Sequence, residues 1–396
     1  MDMYKNMNIM ENISPASVAE DIIKSVKKEY SNLNRLNVLI LGKTGVGKST
    51  LINRVFNENL AATGTGKPIT ANIRPLGKKG FPLTIYDTPG LELSGRNSVD
   101  GLIKDVKTLI HKGITSGSVN EAIHCVWYCI GTPTHRIEPT EIFFLKSFLT
   151  AAMTCSVPVI IVLTQSYSKR DARELAEEIR KENLSVAQIV PVLAQDYELD
   201  EDTVIKAYGL SQLTEIMYQL IPEAVRNTFA SVQKASIDIK KREAQAVVAN
   251  SARLAAVTGA VPIPIPDAAV LVPEQIAMLA KITAVFGVPM QKATITAILS
   301  SMIGTASTTT AGRAIVTSLL KLIPGAGSVV GGAISAATAS ALTAALGEAY
   351  IVVMIRITTG EFPISKLNTP EGKRELAGIF KEKLALKRNK EGKTLE

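Results

Sequence analysis

The sequence predicts a mostly parallel α/β sheet with helices on both faces, followed by an all-helical domain. Three observations predict it. Between residues 36 and 195, short continuous apolar runs alternate with helix-like stretches, which is how parallel strands buried on both faces read. Aromatic residues make up only 5% of the chain, with Trp127 the single tryptophan, so aliphatic side chains must do most of the packing and an aromatic-rich all-β fold is excluded. From 251 to 360 only nine residues carry charge, a composition change that marks a second domain. With 396 residues, 46% hydrophobic and 20% charged, the chain can bury a sizeable core, and wholesale disorder is excluded.

Taken in order, the N-terminal stretch MDMYKNMNIMENIS mixes Asp, Glu and Asn among its methionines and lacks the apolar core of a secretory signal. Residues 15–32 place Val18, Ile22, Ile23, Val26 and Tyr30 at helical spacing, with Ser14 positioned as a cap and Pro15 in the first turn. Strands are expected at 36–42, 81–87, 122–130, 157–164 and 188–194, with helices between them at 48–58, 99–112, 139–152 and 170–183. Residues 199–250 read as amphipathic helices. Cys125, Cys129 and Cys155 are too few for a disulfide framework, which points to a reducing, cytoplasmic setting. Cys125, Cys129 and His124 read as core residues of a strand, since neighbours 124 and 125 point to opposite faces and no fourth zinc ligand is in view.

The strongest motif is Gly42-Lys-Thr-Gly-Val-Gly-Lys48-Ser49, placed directly between an expected strand and an expected helix. Glycines let backbone N–H groups wrap a β-phosphate, Lys48 can reach the β- and γ-phosphates, and the Ser49 hydroxyl is suited to Mg²⁺. Asp87-Thr-Pro-Gly90 closes the second strong strand. Its carboxylate is placed to hold Mg²⁺ through water, and the Gly90 N–H to sense the γ-phosphate. Between the two, Thr70 in GTGKPIT is placed to close its hydroxyl onto the metal.

With GKTGVGKST, a switch threonine and DTPG in this order, the chain resembles the translation-factor-related GTPases, near their Era-like and immunity-related or septin-like branches. That resemblance implies an α/β P-loop G domain binding GTP or GDP with Mg²⁺. Thr44, Gly45, Val46, Gly47, Lys48, Ser49 and Thr50 match the phosphate loop, Thr70 the first switch, and Asp87 and Gly90 the second. Ser49, Thr70 and Asp87 are the implied metal set, and Thr70 and Gly90 the implied catalytic positions. Thr164 and Gln165 are placed to flank the base, and Ala194 in PVLAQD resembles the small residue of the last base-contacting loop. Two positions depart from the family. Tyr167 stands where the guanine-reading aspartate is expected, with Asp171 four residues late, and Leu91 stands where Ras-like proteins carry a water-orienting glutamine. Leucine cannot orient water, so hydrolysis is expected to be slow and to rely on another group, a partner, or a second protomer reaching across the nucleotide in a homodimer. Gly45 replaces the asparagine of potassium-activated relatives, which argues against potassium activation.

In the C-terminal half, PIPIPDAAVLVPEQ and MLAKITAVFG resemble the YcjF-like domain of unknown function that bacteria fuse to Era-like GTPases, a domain that implies membrane proximity. Prolines 262, 264 and 266 break the preceding helix, and Asp267 is placed to cap the next. Asp267 and Gln275 read as a cap and a buried hydrogen bond rather than a functional pair. The stretch 322–347 has 26 residues and no charge, long enough to span about 30 Å of hydrocarbon as a helix. It also holds Pro324 and five glycines, which suits a packed helical hairpin equally well, with Gly327 and Gly331 at a helix-packing spacing. The net charge is +8, and the tail 365–396 carries nine Lys/Arg against five Asp/Glu. That balance permits contact with an anionic membrane. No nucleic-acid partner is expected, because the basic residues lack interleaved aromatics.

The expected organisation is an N-terminal helix (1–35), a GTP-binding G domain (36–225), a helical C-terminal domain (226–364) and a basic tail (365–396). The expected function is slow Mg²⁺-dependent GTP hydrolysis by a cytoplasmic nucleotide switch, coupled to the helical domain for self-assembly or for engaging a partner or the inner membrane peripherally. Two rivals stay open at this point: a P-loop ATPase, and a membrane-inserting effector gated by nucleotide.

Overall fold

The computed structural model describes residues 15–56, 73–78, 81–88, 96–259, 268–287, 294–296, 298, 336–372, 374–376, 378–379 and 382. Thr70, Gly90 and Leu91 lie outside the described residues, as do Ser14, the prolines at 262–266, Asp267, and the glycine pair at 327 and 331. The chain divides into two compact units, Asn32–Ile239 and Met1–Ser31 with Lys240–Glu396.

The first helix, α1 (Pro15–Asn32), belongs up to Ser31 to the unit that also holds Lys240–Glu396. In the unit Asn32–Ile239, β1 (Leu36–Gly42) leads into α2 (Lys48–Val55), and β2 (Arg74–Gly77) precedes β3 (Leu83–Asp87). Next come α3 (Arg96–Thr115), β4 (Cys125–Gly131), α4 (Pro139–Thr154), β5 (Val159–Thr164), α5 (Lys169–Lys181) and β6 (Gln188–Pro191). A short hairpin, β7 (Tyr197–Glu198) and β8 (Val204–Ile205), leads to α6 (Leu210–Leu220) and α7 (Glu223–Val232). The sheet order is β2-β3-β1-β4-β5-β6. All neighbours run parallel except β2, which pairs antiparallel with β3 through Arg74↔Asp87. An α/β fold with a mostly parallel sheet is thus present. The antiparallel edge strand β2 and the β7–β8 hairpin are additions that the apolar-run pattern does not register, because both are short, β2 buries only Leu76 and the hairpin strands bury no residue.

β1, β4 and β5 are buried along their whole length, which explains why they read as unbroken apolar runs. On one face Leu39, Leu41, Val126, Tyr128, Ile130, Ile161 and Leu163 form a core with α3, α4 and α5. Tyr128, Phe144 and Phe148 stack in series there, with ring centroids 5.8 and 5.9 Å apart. On the other face α2 and α7 pack on β1, and α6 on β6. Phe56, just past α2, stacks on Trp127 at 5.8 Å.

Cys125 and Cys129 are fully buried on β4, and burial pushes both thiols up to about 12. The sequence shows no partner for His124, but the structure supplies one: its Nδ1 accepts the Asn37 N–H at 3.0 Å. Burial holds that imidazole below its ordinary pKa.

In the second unit, α8 (Ile237–Gly259) continues from Lys240, and α9 (Ala268–Phe286) packs on α10 (Ala336–Thr358). A Cβ on Gly347 of α10 would lie 2.4 Å from Val248 Cγ2 of α8 and 3.1 Å from Met278 Sδ of α9. The three helices therefore meet where α10 presents no side chain. At the end of α9, Lys240 Nζ donates to the carbonyls of Val285 (2.9 Å) and Phe286 (3.1 Å), and the Tyr30 hydroxyl donates to that of Ala284 (3.2 Å). The carbonyls of Val285 and Phe286, in the last turn where a helix leaves carbonyls unpaired, are thereby satisfied by a side chain, while Ala284 O also accepts the Gly287 N–H at 3.1 Å. Gln275 is buried on α9 and Thr283 pairs with the Tyr350 hydroxyl at 2.8 Å. Among the described residues, no helix is long and apolar enough to cross a membrane.

Candidate functional site

β1 ends at Gly42, whose φ of 139° and tight position exclude a side chain: a Cβ would sit 2.4 Å from the Cys129 carbonyl oxygen. Gly47, at φ 89°, turns the chain into α2. The first helical bond, Leu51 N–H to Gly47 O, measures 3.0 Å. The unpaired N–H groups of the first turn and the helix dipole both favour an anion here.

Lys48 opens α2 and is buried, its ammonium donating to Gly42 O at 2.8 Å and to Lys43 O at 2.9 Å. Thr44, Gly45 and Ser49 are exposed, Gly47 and Thr50 half-buried, and Val46 buried. At the end of β3, in register with Ile40, stands Asp87. Burial raises its carboxyl pKa while the Lys48 and Arg74 charges lower it, and burial lowers the Lys48 pKa while Asp87 opposes that shift. Among the described residues, the buried Oδ1 of Asp87 has no hydrogen-bond partner. An exposed hydroxyl and a carboxylate with an uncommitted oxygen beside a lysine form a hard-oxygen set that fits Mg²⁺. Ser49 and Asp87 would hold the ion; the expected Thr70 and Gly90 contributions fall on residues outside those described.

The opposite wall is built by the end of β5. The Thr164 hydroxyl donates to Val46 O and shares a 3.1 Å contact with Ile130 O. Gln165, in the left-handed region at φ 52°, donates from Nε2 to Gly45 O at 2.9 Å. Two phosphate-loop carbonyls are thus tied to the strand end, and a non-glycine residue keeps a positive φ only where its surroundings fix it. Ser166 Oγ bonds Leu163 O (2.8 Å) and Thr132 Oγ1 (2.7 Å). Asp171 lies in the first turn of α5, its N–H donating to Ser168 Oγ at 3.2 Å.

A cleft of about 100 Å³ is lined by Gly47, Thr50, Thr164, Gln165 and Tyr167 on one side and by Leu193, Ala194, Gln195, Asp196 and Tyr197 on the other. The structure therefore brings Gly47, Thr50, Thr164, Gln165 and Ala194 together around one cleft. Three features were not anticipated. Tyr197 packs on Tyr167, with ring centroids 4.2 Å apart and planes tilted by 43°. Asp196 stands beside them, its carboxylate engaged by Lys206 Nζ and Ala207 N–H, both at 2.8 Å. Finally, Lys43 of the phosphate loop bridges to Glu138 (2.9 Å) and to buried Glu141 (3.1 Å) at the start of α4. The exposed acidic turn Asp200-Glu201-Asp202 between two short β-prone pairs was the available hairpin signal. Nothing local in the sequence pairs Lys43 with residues about a hundred positions away.

Residues 37–165 match the family model described as 50S ribosome-binding GTPase, and residues 225–370 match a domain of unknown function, DUF697. Human neuronal-specific septin-3 is 23% identical over 224 residues, 50% of this chain and 62% of that protein. Septin-2B of Xenopus tropicalis is 28% identical over 205 residues, 45% of this chain and 54% of that protein. The chain thus spans less than two thirds of the length of these two septins. Among solved structures, Era in complex with MgGDPNP and a 16S ribosomal RNA segment aligns at 22% identity and a TM-score of 0.31, covering 48% of this chain and 58% of that one. Cdc11 from Saccharomyces cerevisiae aligns at 16% and 0.30, covering 47% and 92%.

Proposed function

We propose that this chain binds GTP and GDP and hydrolyses GTP slowly with Mg²⁺, acting as a nucleotide switch coupled to its helical C-terminal region. The observation that carries this reading is the phosphate loop itself: a strand-to-helix turn whose lysine and glycines are set for a phosphate, and whose carbonyls are gripped by Thr164 and Gln165. The match of residues 37–165 to a GTPase family model supports it. Bound Mg²⁺ supplies charge neutralisation and a template for the phosphate oxygens. The chain's own part is to surround the β-phosphate with N–H groups, to bring one ammonium to it, and to hold the metal's protein ligands at Ser49 and Asp87.

Leu91 offers no hydrogen bond to an attacking water, so turnover is slow and rises when a second copy approaches the nucleotide face. Cytoplasmic residence and peripheral contact with an anionic inner membrane, aided by the basic tail, belong to the same proposal. The test is binding of a fluorescent GDP, followed by phosphate release from GTP at several protein concentrations. Wild type binds only with Mg²⁺ and an intact Lys48. Retention of micromolar affinity by Lys48→Ala would remove the site from this part of the molecule.

A further inference from the structure

Thr164 and Gln165 anchor the phosphate loop, but Tyr167 occupies the position from which a carboxylate would read guanine. A phenol cannot accept two parallel N–H bonds as a carboxylate does. Among the described residues lining the cleft, Asp196 is the sole carboxylate, carried by the loop between β6 and β7 rather than by the one after β5. We propose that Asp196 reads guanine, accepting its N1–H and a 2-amino N–H, while the Tyr167–Tyr197 pair forms the aromatic wall on which the base stacks. The inference rests on the GTP-binding reading above and names the group that gives it base specificity.

The geometry suits this role. Lys206 Nζ bonds Asp196 Oδ2 and the Ala207 N–H bonds Oδ1, so the carboxylate plane is fixed by two donors. Each carboxylate oxygen accepts two bonds, which leaves one position on each for the base. The same two donors, the lysine first, hold the Asp196 carboxyl below the usual carboxylate range, so it is charged at neutral pH. The loop bearing it is cross-tied to the loop bearing Tyr167. Leu193 and Tyr208 exchange backbone bonds at 3.0 Å, and the Tyr208 hydroxyl donates to Ser166 O at 2.8 Å. With 4.2 Å between the tyrosine centroids, no ring fits between them, so a base stacks on the outside of the pair. Adenine presents an acceptor at N1 and no 2-amino group, and a carboxylate facing it gains nothing.

The experiment is competition against fluorescent GDP on the full chain, with GDP, ADP and xanthosine diphosphate as competitors. Asp196→Asn exchanges an acceptor for an N–H donor, which suits the 2-oxo group of xanthine. The variant should lose about 10- to 100-fold in GDP affinity, the range for bonds to a charged group, and should gain affinity for xanthosine diphosphate. Lys206→Met keeps the carboxylate and should retain the preference for GDP over ADP. Unchanged discrimination in Asp196→Asn overturns the proposal, as does loss of GDP without any gain for the xanthine nucleotide, which would reduce Asp196 to a hairpin tie. Failure of the wild type to bind any of the three, or binding insensitive to Lys48→Ala, would instead overturn the parent reading.

Discussion

Lys240 is a full cation's worth of side chain placed where no water reaches, and its burial makes the second unit's stability depend on pH in an unusual direction. Desolvation pushes its pKa from 10.5 down to about 7. A lowered lysine pKa means that the unfolded chain binds more protons than the folded one between those values. Stability therefore rises with pH across that window, and below it the full penalty applies. Each pH unit in the window is worth about 1.4 kcal/mol; because Lys240 is half-protonated in the folded state near pH 7, going from pH 7 to 9 returns about 2 kcal/mol. The upper limit is set by Tyr30 and Tyr350, whose burial raises both hydroxyls to about 12 and so removes stability above their ordinary value of 10.

Urea unfolding followed by far-ultraviolet circular dichroism at pH 7, 8 and 9 reads the slope directly. Lys240→Met removes the titrating group while filling similar space, and its stability should be flatter with pH by about 2 kcal/mol over that interval. Absolute stability at pH 7 does not decide the matter, because the variant also leaves the carbonyls of Val285 and Phe286 without their donor. Parallel pH slopes for wild type and variant would refute the reasoning.

Two further outcomes follow from packing and tethering. Gln165→Met removes the donor to Gly45 O but keeps the side-chain length, and should weaken GDP binding about 5- to 10-fold, the worth of one hydrogen bond; isothermal titration with unchanged affinity would show that the tether does not shape the loop. Gly347→Val forces a side chain into Val248 and Met278 and should lower helical-unit stability by about 1–3 kcal/mol, seen as an earlier dichroism transition; an unaltered midpoint would mean that α8, α9 and α10 do not meet there.

Much of this was legible beforehand for identifiable reasons. β1, β4 and β5 are apolar on both faces, so no register ambiguity hides them, and α1 appears at Pro15–Asn32 as its spacing predicts. The phosphate loop was legible because its chemistry constrains consecutive residues. What escaped was whatever depends on distant segments. Asp196 and Tyr197 become cleft residues only because β6 lies beside β5, and Lys43 meets Glu141 only because α4 starts above the loop. β2 escaped because a four-residue edge strand containing Pro75 carries almost no β signal.

The stack of Phe56 on Trp127 has an optical consequence. Trp127 is the only indole in the chain, and the ring against it closes the helix that begins at Lys48. A shift of that helix when its first turn takes up a phosphate would alter the surroundings of the one strong ultraviolet emitter. Intrinsic emission can therefore time the event in unlabelled protein, without the dye whose attachment would crowd the base cleft.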